Sequence, residues 1–278
     1  MRDLRTHTNS RLLAALEFDD HDSPTLVPMP LGDRRIANVR TVGLVLLVMT
    51  MSGRGRVIVT GASTGIGEAT ALHLRDLGFS VLAGVRRAED VERLGDHGFT
   101  AMRLDVTVPD QIAAARAQVG NQPLVGLINN AGITRSGPLE FVSVEDMREQ
   151  LEVNVIGQLA VTQAFIDGLR AGRGRIVNVG SISGVLATPM TGPYVTSKFA
   201  LKRMTDVLRR ELLQQGIDVV MVEPGGIKTP LMSKTTREFE RVHRDGPPEL
   251  ALRYGAMIRT AIEHTTKIDR HTGLDPMR

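Results

Sequence analysis

Val57-Ile58-Val59-Thr60-Gly61-Ala62-Ser63-Thr64-Gly65-Ile66-Gly67 is the stretch on which the fold turns. Three β-branched residues in a row read as a short buried strand. Gly61 then permits a tight turn, and Gly65 and Gly67 open a helical run that ends near Leu77, with Gly78 where a C-terminal glycine belongs. A helix that starts on a glycine turn presents unpaired N–H groups and partial positive charge at its N-terminus. Glycines at 61, 65 and 67 let backbone approach a phosphate closely and let the helix pack against the strand. A glycine-rich turn alone is a weak signal, and its position between strand and helix is what strengthens it.

The same pattern repeats downstream. Residues 80–85 form a second apolar strand, a short helix follows, and residues 100–104 form a third. Pro109 opens another helix, where its missing N–H costs nothing. Strands at 124–128, 175–179 and 217–222 alternate with helices at 144–169 and 194–215. Fully apolar strands alternating with helices imply an α/β fold, a doubly wound parallel sheet covered on both faces and joined by right-handed crossovers.

Composition bounds the rest. With 278 residues, 42% hydrophobic and 23% charged, the chain is an ordinary globular protein, and its 3% aromatic content makes the core aliphatic. It has no cysteine, which removes disulfides, thiolate nucleophiles and thiolate metal sites and fits a reducing, cytoplasmic setting. Its net charge of +3 comes from scattered Arg and Lys, not from a nucleic-acid footprint. The seven histidines form no ligand-spaced cluster, so no metal is expected. The longest apolar run, residues 42–49, is too short to span a bilayer. Residues 1–50 read as an N-terminal extension outside the fold, either disordered or upstream of a true start at Met51, and residues 51–278 as one domain.

Tyr194-Val195-Thr196-Ser197-Lys198 sets a phenol and an ammonium on one helix face, since residues four apart lie one turn from each other. Most such pairs are solvated decoration. A tyrosine near pKa ~10 becomes a useful acid–base group only when a neighbouring cation favours its ionised form.

Gly61-x-x-x-Gly65-x-Gly67, Asn129-Asn130-Ala131-Gly132 after the fourth strand and Tyr194-x-x-x-Lys198 after the fifth together resemble the short-chain dehydrogenase/reductase family, over residues 56–230. The resemblance implies a Rossmann-type fold, a nicotinamide cofactor and hydride transfer to or from a carbonyl or carbinol carbon of a small molecule. It implies Tyr194 as the proton-transfer group, Lys198 as the cation lowering its pKa together with the oxidised nicotinamide, and Ser181 as the group that orients the substrate oxygen, with Ser183 as the neighbouring alternative; Tyr194 and Lys198 would also bind the cofactor, Lys198 at the nicotinamide ribose. It further implies Asn154 as the fourth member, holding a water on a proton path that ends near the lysine. The flanking Val153, Val155 and Ile156 place that asparagine in a buried setting. Gly61, Ser63, Thr64, Gly65, Ile66 and Gly67 would cradle the cofactor. Asp105 and Val106 would meet the adenine, and Asn130, Ala131 and Gly132 would flank the cofactor. Pro224, Gly225, Ile227 and Thr229 would hold the nicotinamide carboxamide. Asn129 resembles the asparagine that steadies the central sheet. Asp105 has a second reading as the cap of the turn that follows it.

In the family, a carboxylate at the end of the second strand binds the ribose hydroxyls and selects NAD(H). Here Val85 takes that place and Arg86-Arg87 follow, so a 2′-phosphate meets a guanidinium and no carboxylate. The expectation is NADP(H) over NAD(H), with Arg86 as the reader. Residues 229–278 would form the substrate loop and lid. Leu231 and Met232 with the helix-like stretch 248–262 (Leu250, Leu252, Tyr254, Met257, Ile258) favour a hydrophobic alcohol or ketone, with Tyr254 open to a core role. The charged tract 235–244 reads as exposed. The chain stops after Gly273-Leu274-Asp275-Pro276 with no strand-like run, so six strands are expected, with the family's seventh missing. That loss weighs against the usual homo-oligomer. It also raises an alternative, a truncated and inactive homologue that still binds NADP(H).

Overall fold

The computed structural model describes residues 55–269. The expectations for the run at 42–49, the start at Met51 and the C-terminal stretch 273–276 lie outside the described residues.

β1 (Arg56–Thr60) leads into α1 (Gly65–Asp76), then β2 (Ser80–Val85), α2 (Ala88–Asp96), β3 (Thr100–Arg103), α3 (Pro109–Val119) and β4 (Gly126–Asn129). α4 (Val144–Leu151) continues through a π segment (Glu152–Ile156) into α5 (Gly157–Gly172). β5 (Arg175–Val179), α6 (Gly192–Leu212), β6 (Asp218–Val222), α7 (Pro230–Asp245) and α8 (Pro248–Lys267) complete the order.

Among the described residues the six strands are all parallel, in the order β3-β2-β1-β4-β5-β6. This is a Rossmann-type doubly wound sheet. Period-2 alternation sends each strand's side chains to opposite layers. Val57, Val59, Val81, Ala83 and Val177 pack under one set of helices. Ile58, Leu82, Leu127, Ile176 and Val219 pack under the other with Phe165 and Leu169. Both layers are almost wholly aliphatic, as the scarcity of aromatics requires.

The helix expected over 144–169 differs in one respect: its middle is the π segment, and Asn154 lies inside it. Strand order reverses between β1 and β4, which opens a crevice at the carboxyl ends of the strands.

Behind that crevice, buried polar groups tie the central strands to their helices. The Asn129 amide donates to Asn178 Oδ1 (2.9 Å) and Thr162 Oγ1 (3.0 Å), and the Asn178 amide donates to Thr205 Oγ1 (2.8 Å). Asn129 therefore steadies the sheet, joining β4, β5, α5 and α6.

Candidate active site

The cleft at the crevice has a volume of about 1050 Å³. Its floor is the glycine turn. Gly61 and Gly65 both adopt left-handed backbone, with φ of +63° and +62°. A Cβ on Gly61 would stand 2.9 Å from Ala131 Cα, and one on Gly67 would collide with the Gly61 carbonyl and Asn130 Nδ2. Thr64 caps α1 without a side-chain hydrogen bond, and the Thr229 and Pro230 side chains stand next to Gly65 at the helix start. Such a turn fits the pyrophosphate of a dinucleotide, because glycine backbone permits a close approach and the N-terminus of α1 has no side-chain hydrogen-bond cap.

Asn130 holds this turn from the next strand. Its Nδ2 donates to the Thr60 and Gly61 carbonyls (3.0 and 3.1 Å), and Thr60 Oγ1 accepts from the Asn130 and Ala131 N–H groups, both at 3.0 Å. The amide expected to flank the cofactor is thus spent on shaping the cradle, while Asn130, Ala131 and Gly132 all line the cleft.

At the end of β2, Arg86 is exposed, lines the cleft and has no side-chain partner among the described residues. Arg87 is engaged, donating through Nε and Nη2 to the two oxygens of Asp90 at 2.8 and 3.2 Å. That guanidinium holds the Asp90 carboxyl below the usual carboxylate range. Asp105 takes the capping role and also stands at the cleft. It lines the cleft, and its Oδ1 accepts from Thr107 N–H (3.0 Å) and Oγ1 (2.8 Å), capping the turn. Val106 also lines the cleft, buried against Gly157.

Tyr194, half-buried on the first turn of α6, faces the same cleft. Burial pushes its phenol above the ordinary value, and a side-chain hydrogen bond with Ser181 opposes that. Lys198 lies one turn on, with Nζ 5.6 Å from the Tyr194 ring centroid and donating to the Val179 carbonyl at 2.8 Å. The lysine is 6% exposed, and burial pushes its pKa down to about 8. It therefore stays mostly protonated at neutral pH. Here desolvation outweighs the expected cation effect on the phenol.

Ser181 follows β5 and accepts the Ser183 N–H at 3.1 Å, which caps a short 3₁₀ turn. The contact with Tyr194 favours Ser181 over Ser183, although both line the cleft.

Asn154 is buried, as its apolar flanks suggested, but it is not among the cleft-lining residues. Its Oδ1 accepts from Ile133 N–H (2.9 Å), and its Nδ2 donates to the Ile133 carbonyl (3.1 Å) and to Ser197 Oγ (3.0 Å). Ser197 Oγ in turn donates to the Tyr194 carbonyl at 2.7 Å. Asn154 thus reaches Tyr194 through Ser197, a residue that sequence reasoning passed over. The only signal for it was its place three residues after the tyrosine.

Pro224, Gly225, Ile227 and Thr229 line the far wall, followed by Leu231 and Met232 at the start of α7. α7 and α8 pack on each other through Phe239, Leu250 and Ile258. Of the lid residues expected to be apolar lining, Leu250 and Ile258 are core, whereas Leu252 and Met257 are exposed. Tyr254 is partly core, edge-on to Phe141 and donating to Glu140 Oε2 at 2.8 Å. The tract 235–244 is an amphipathic helix face rather than a wholly exposed segment, because Phe239 within it is buried.

Among the described residues no helix is long and apolar enough to cross a membrane, and no cluster of His, Asp or Glu could hold a metal ion.

The chain matches the short chain dehydrogenase family over residues 55–240. It is 39% identical over 197 residues to an uncharacterized oxidoreductase, YbbO, of Escherichia coli strain K12, a match covering 69% of this chain and 72% of that protein. It is 36% identical over 189 residues to an NADPH-dependent 3-dehydrocapnine reductase of Ornithobacterium rhinotracheale, covering 64% of this chain and 67% of that one. Among solved structures, a short chain dehydrogenase from Burkholderia cenocepacia J2315 in complex with NADP is 30% identical, with a TM-score of 0.59 over 81% of this chain and 88% of that one.

Proposed function

Since the chain belongs to the short chain dehydrogenase family and is an oxidoreductase of that type, we propose that it uses NADP(H) to interconvert a carbonyl and a secondary alcohol on a hydrophobic small molecule. The observation that carries this reading is the convergence of Tyr194, Ser181 and Lys198 on the cleft whose floor is the glycine cradle. NADP(H), when bound, supplies the hydride chemistry. The chain's own residues do the rest. Tyr194 Oη gives a proton to the substrate oxygen in reduction and takes it back in oxidation. Ser181 Oγ orients that oxygen and stabilises charge developing on it. Lys198 keeps positive charge beside the phenol. Asn154, through Ser197, fixes the main chain at Tyr194.

Preference for NADP(H) is supported by the unpaired Arg86 at the cleft, by Val85 where a carboxylate would select NAD(H), and by the NADPH dependence and bound NADP of the two relatives described above. Leu231, Met232 and Ile268 on the lid side favour an apolar substrate. We assign the described residues from 229 to 269 to that lid.

Initial rates with NADPH and NADH over a panel of ketones and aldehydes test this reading. Wild type should prefer NADPH, and Arg86→Ala should lose about tenfold or more of that preference, the worth of one charge-assisted hydrogen bond. Tyr194→Phe should lower kcat at least ~100-fold while binding NADPH normally. An unchanged preference removes Arg86 from the reading, and substantial turnover by Tyr194→Phe refutes the proton-transfer assignment.

A further inference from the structure

Between the glycine turn and the end of β2, four side chains alternate in charge: Glu68, Arg93, Asp90 and Arg87. Arg93 is the centre of this row. Its Nη1 donates to Glu68 Oε1 at 2.9 Å, and its Nη2 donates to the Ser63 carbonyl at 2.7 Å and reaches Asp90 Oδ1 at 3.4 Å. One planar guanidinium thus spans three segments: the glycine turn, the first turn of α1 and the start of α2. A lysine, with one compact ammonium, lacks the fork needed to do this. Asp90 is 4% exposed, and both its oxygens are taken by Arg87. A buried carboxylate is costly to leave unpaired, so Asp90 keeps Arg87 at a fixed place beside the free Arg86.

We propose that Arg93 is a positioning residue of the dinucleotide cleft, which holds the phosphate-binding turn by the Ser63 carbonyl and, through Asp90, sets where Arg87 stands. The turn must present its backbone N–H groups in one orientation, and a flexible loop would lose ordering entropy on binding that this tie removes beforehand. Beside it, Glu68 and Arg93 cancel, Asp90 cancels one guanidinium, and a single net positive charge is left for a 2′-phosphate. The second half of this proposal rests on the NADP(H) reading, whereas the first concerns the pyrophosphate that NADPH and NADH share.

The experiment is isothermal titration of NADPH and of NADH into wild type, Arg93→Met, Arg93→Lys and Asp90→Asn, with melting curves of the unliganded proteins. Arg93→Met should weaken both cofactors about tenfold, since ordering roughly one released residue of the turn then falls on binding. Its unliganded melting should fall by only a few degrees, because the Arg93–Glu68 pair is 40% and 32% exposed and the Ser63 carbonyl bond is only part-buried. Arg93→Lys should remain impaired, and Asp90→Asn, which leaves the Arg87 guanidinium uncancelled beside Arg86, should tighten NADPH severalfold while leaving NADH within about twofold. Wild-type affinity for both cofactors in Arg93→Met, or full recovery in Arg93→Lys, overturns the proposal. A wild type that binds NADH as tightly as NADPH sinks the NADP(H) reading instead and leaves the shared loss in Arg93→Met as the test of the tie.

Discussion

Replacing Lys198 with methionine isolates the energetic cost of burying its cation. The side chain is 6% exposed, and its pKa falls from 10.5 to about 8 because burial penalises the charged form. That drop corresponds to about 3 kcal/mol at ~1.4 kcal/mol per unit. The sign follows from proton counting. Below pH 8 the folded and unfolded chains both carry the proton, and the native state bears the whole penalty. Between 8 and 10.5 the folded lysine gives up its proton while the unfolded one keeps it, so unfolding takes up a proton and native stability rises with pH. Above 10.5 the gain is complete. Lys198→Met removes this titration. It also strips the Val179 carbonyl of its donor, a loss of about 1–3 kcal/mol that is nearly constant with pH. Denaturant unfolding of both proteins from pH 7 to pH 10 should therefore show wild type gaining on the variant, by about 1.4 kcal/mol at pH 9 and about 2.5 kcal/mol at pH 10. Burial holds the neighbouring Tyr194 phenol above its ordinary value, so it stays largely protonated over this range, and groups away from Lys198 titrate alike in the two proteins and cancel in the difference. Parallel stability profiles would refute the claim that burial holds this lysine near 8.

Two further outcomes test the scaffold. Gly67→Ala should abolish binding of dinucleotides by calorimetry and lower stability by about 1–3 kcal/mol, because its Cβ meets the fixed Gly61 carbonyl and the Asn130 amide rather than a yielding side chain. Asn129→Leu should cost about 2–4 kcal/mol in denaturant unfolding, since Asn178 Oδ1 loses its donor and the hydroxyl of Thr162 loses a partner in a dry interior.

Local pattern carried most of the fold. The β-branched run at 57–59 and the glycines at 61, 65 and 67 specify strand, turn and helix through interactions a few residues long, and the structure places β1 and α1 there. The motifs located Tyr194, Lys198 and Ser181 for the same reason: each stands at a fixed offset from the end of one element. What stayed hidden was long in sequence. The Arg93 bond to Ser63 spans thirty residues, and nothing in the composition of α2 distinguishes that arginine from its solvated neighbours. The lid was misread where a helix was judged by its apolar residues alone. Leu252 and Met257 lie on the outer face of α8, so of that set Leu250 and Ile258, with Tyr254 packed beside them, reach the α7 core.

The π segment was equally invisible, yet it answers a geometric need that the sequence does state. Gln150, Asn154 and Gln158 are buried amides spaced four apart. Each satisfies backbone in the loop after β4: Gln150 bonds Arg135 N–H and the Ile133 carbonyl, Asn154 bonds both polar groups of Ile133, and Gln158 donates to the Ala131 carbonyl. In a regular α-helix a step of four overshoots a full turn by about 40°, so two steps would carry Gln158 about 80° round from Gln150 and away from the loop. The wider turn of a π segment takes up that drift. It lies at Glu152–Ile156, between the first and last of these amides and centred on the middle one. The irregularity that sets Asn154 against Ser197, and so braces the main chain of Tyr194, follows from three amides having to face one loop.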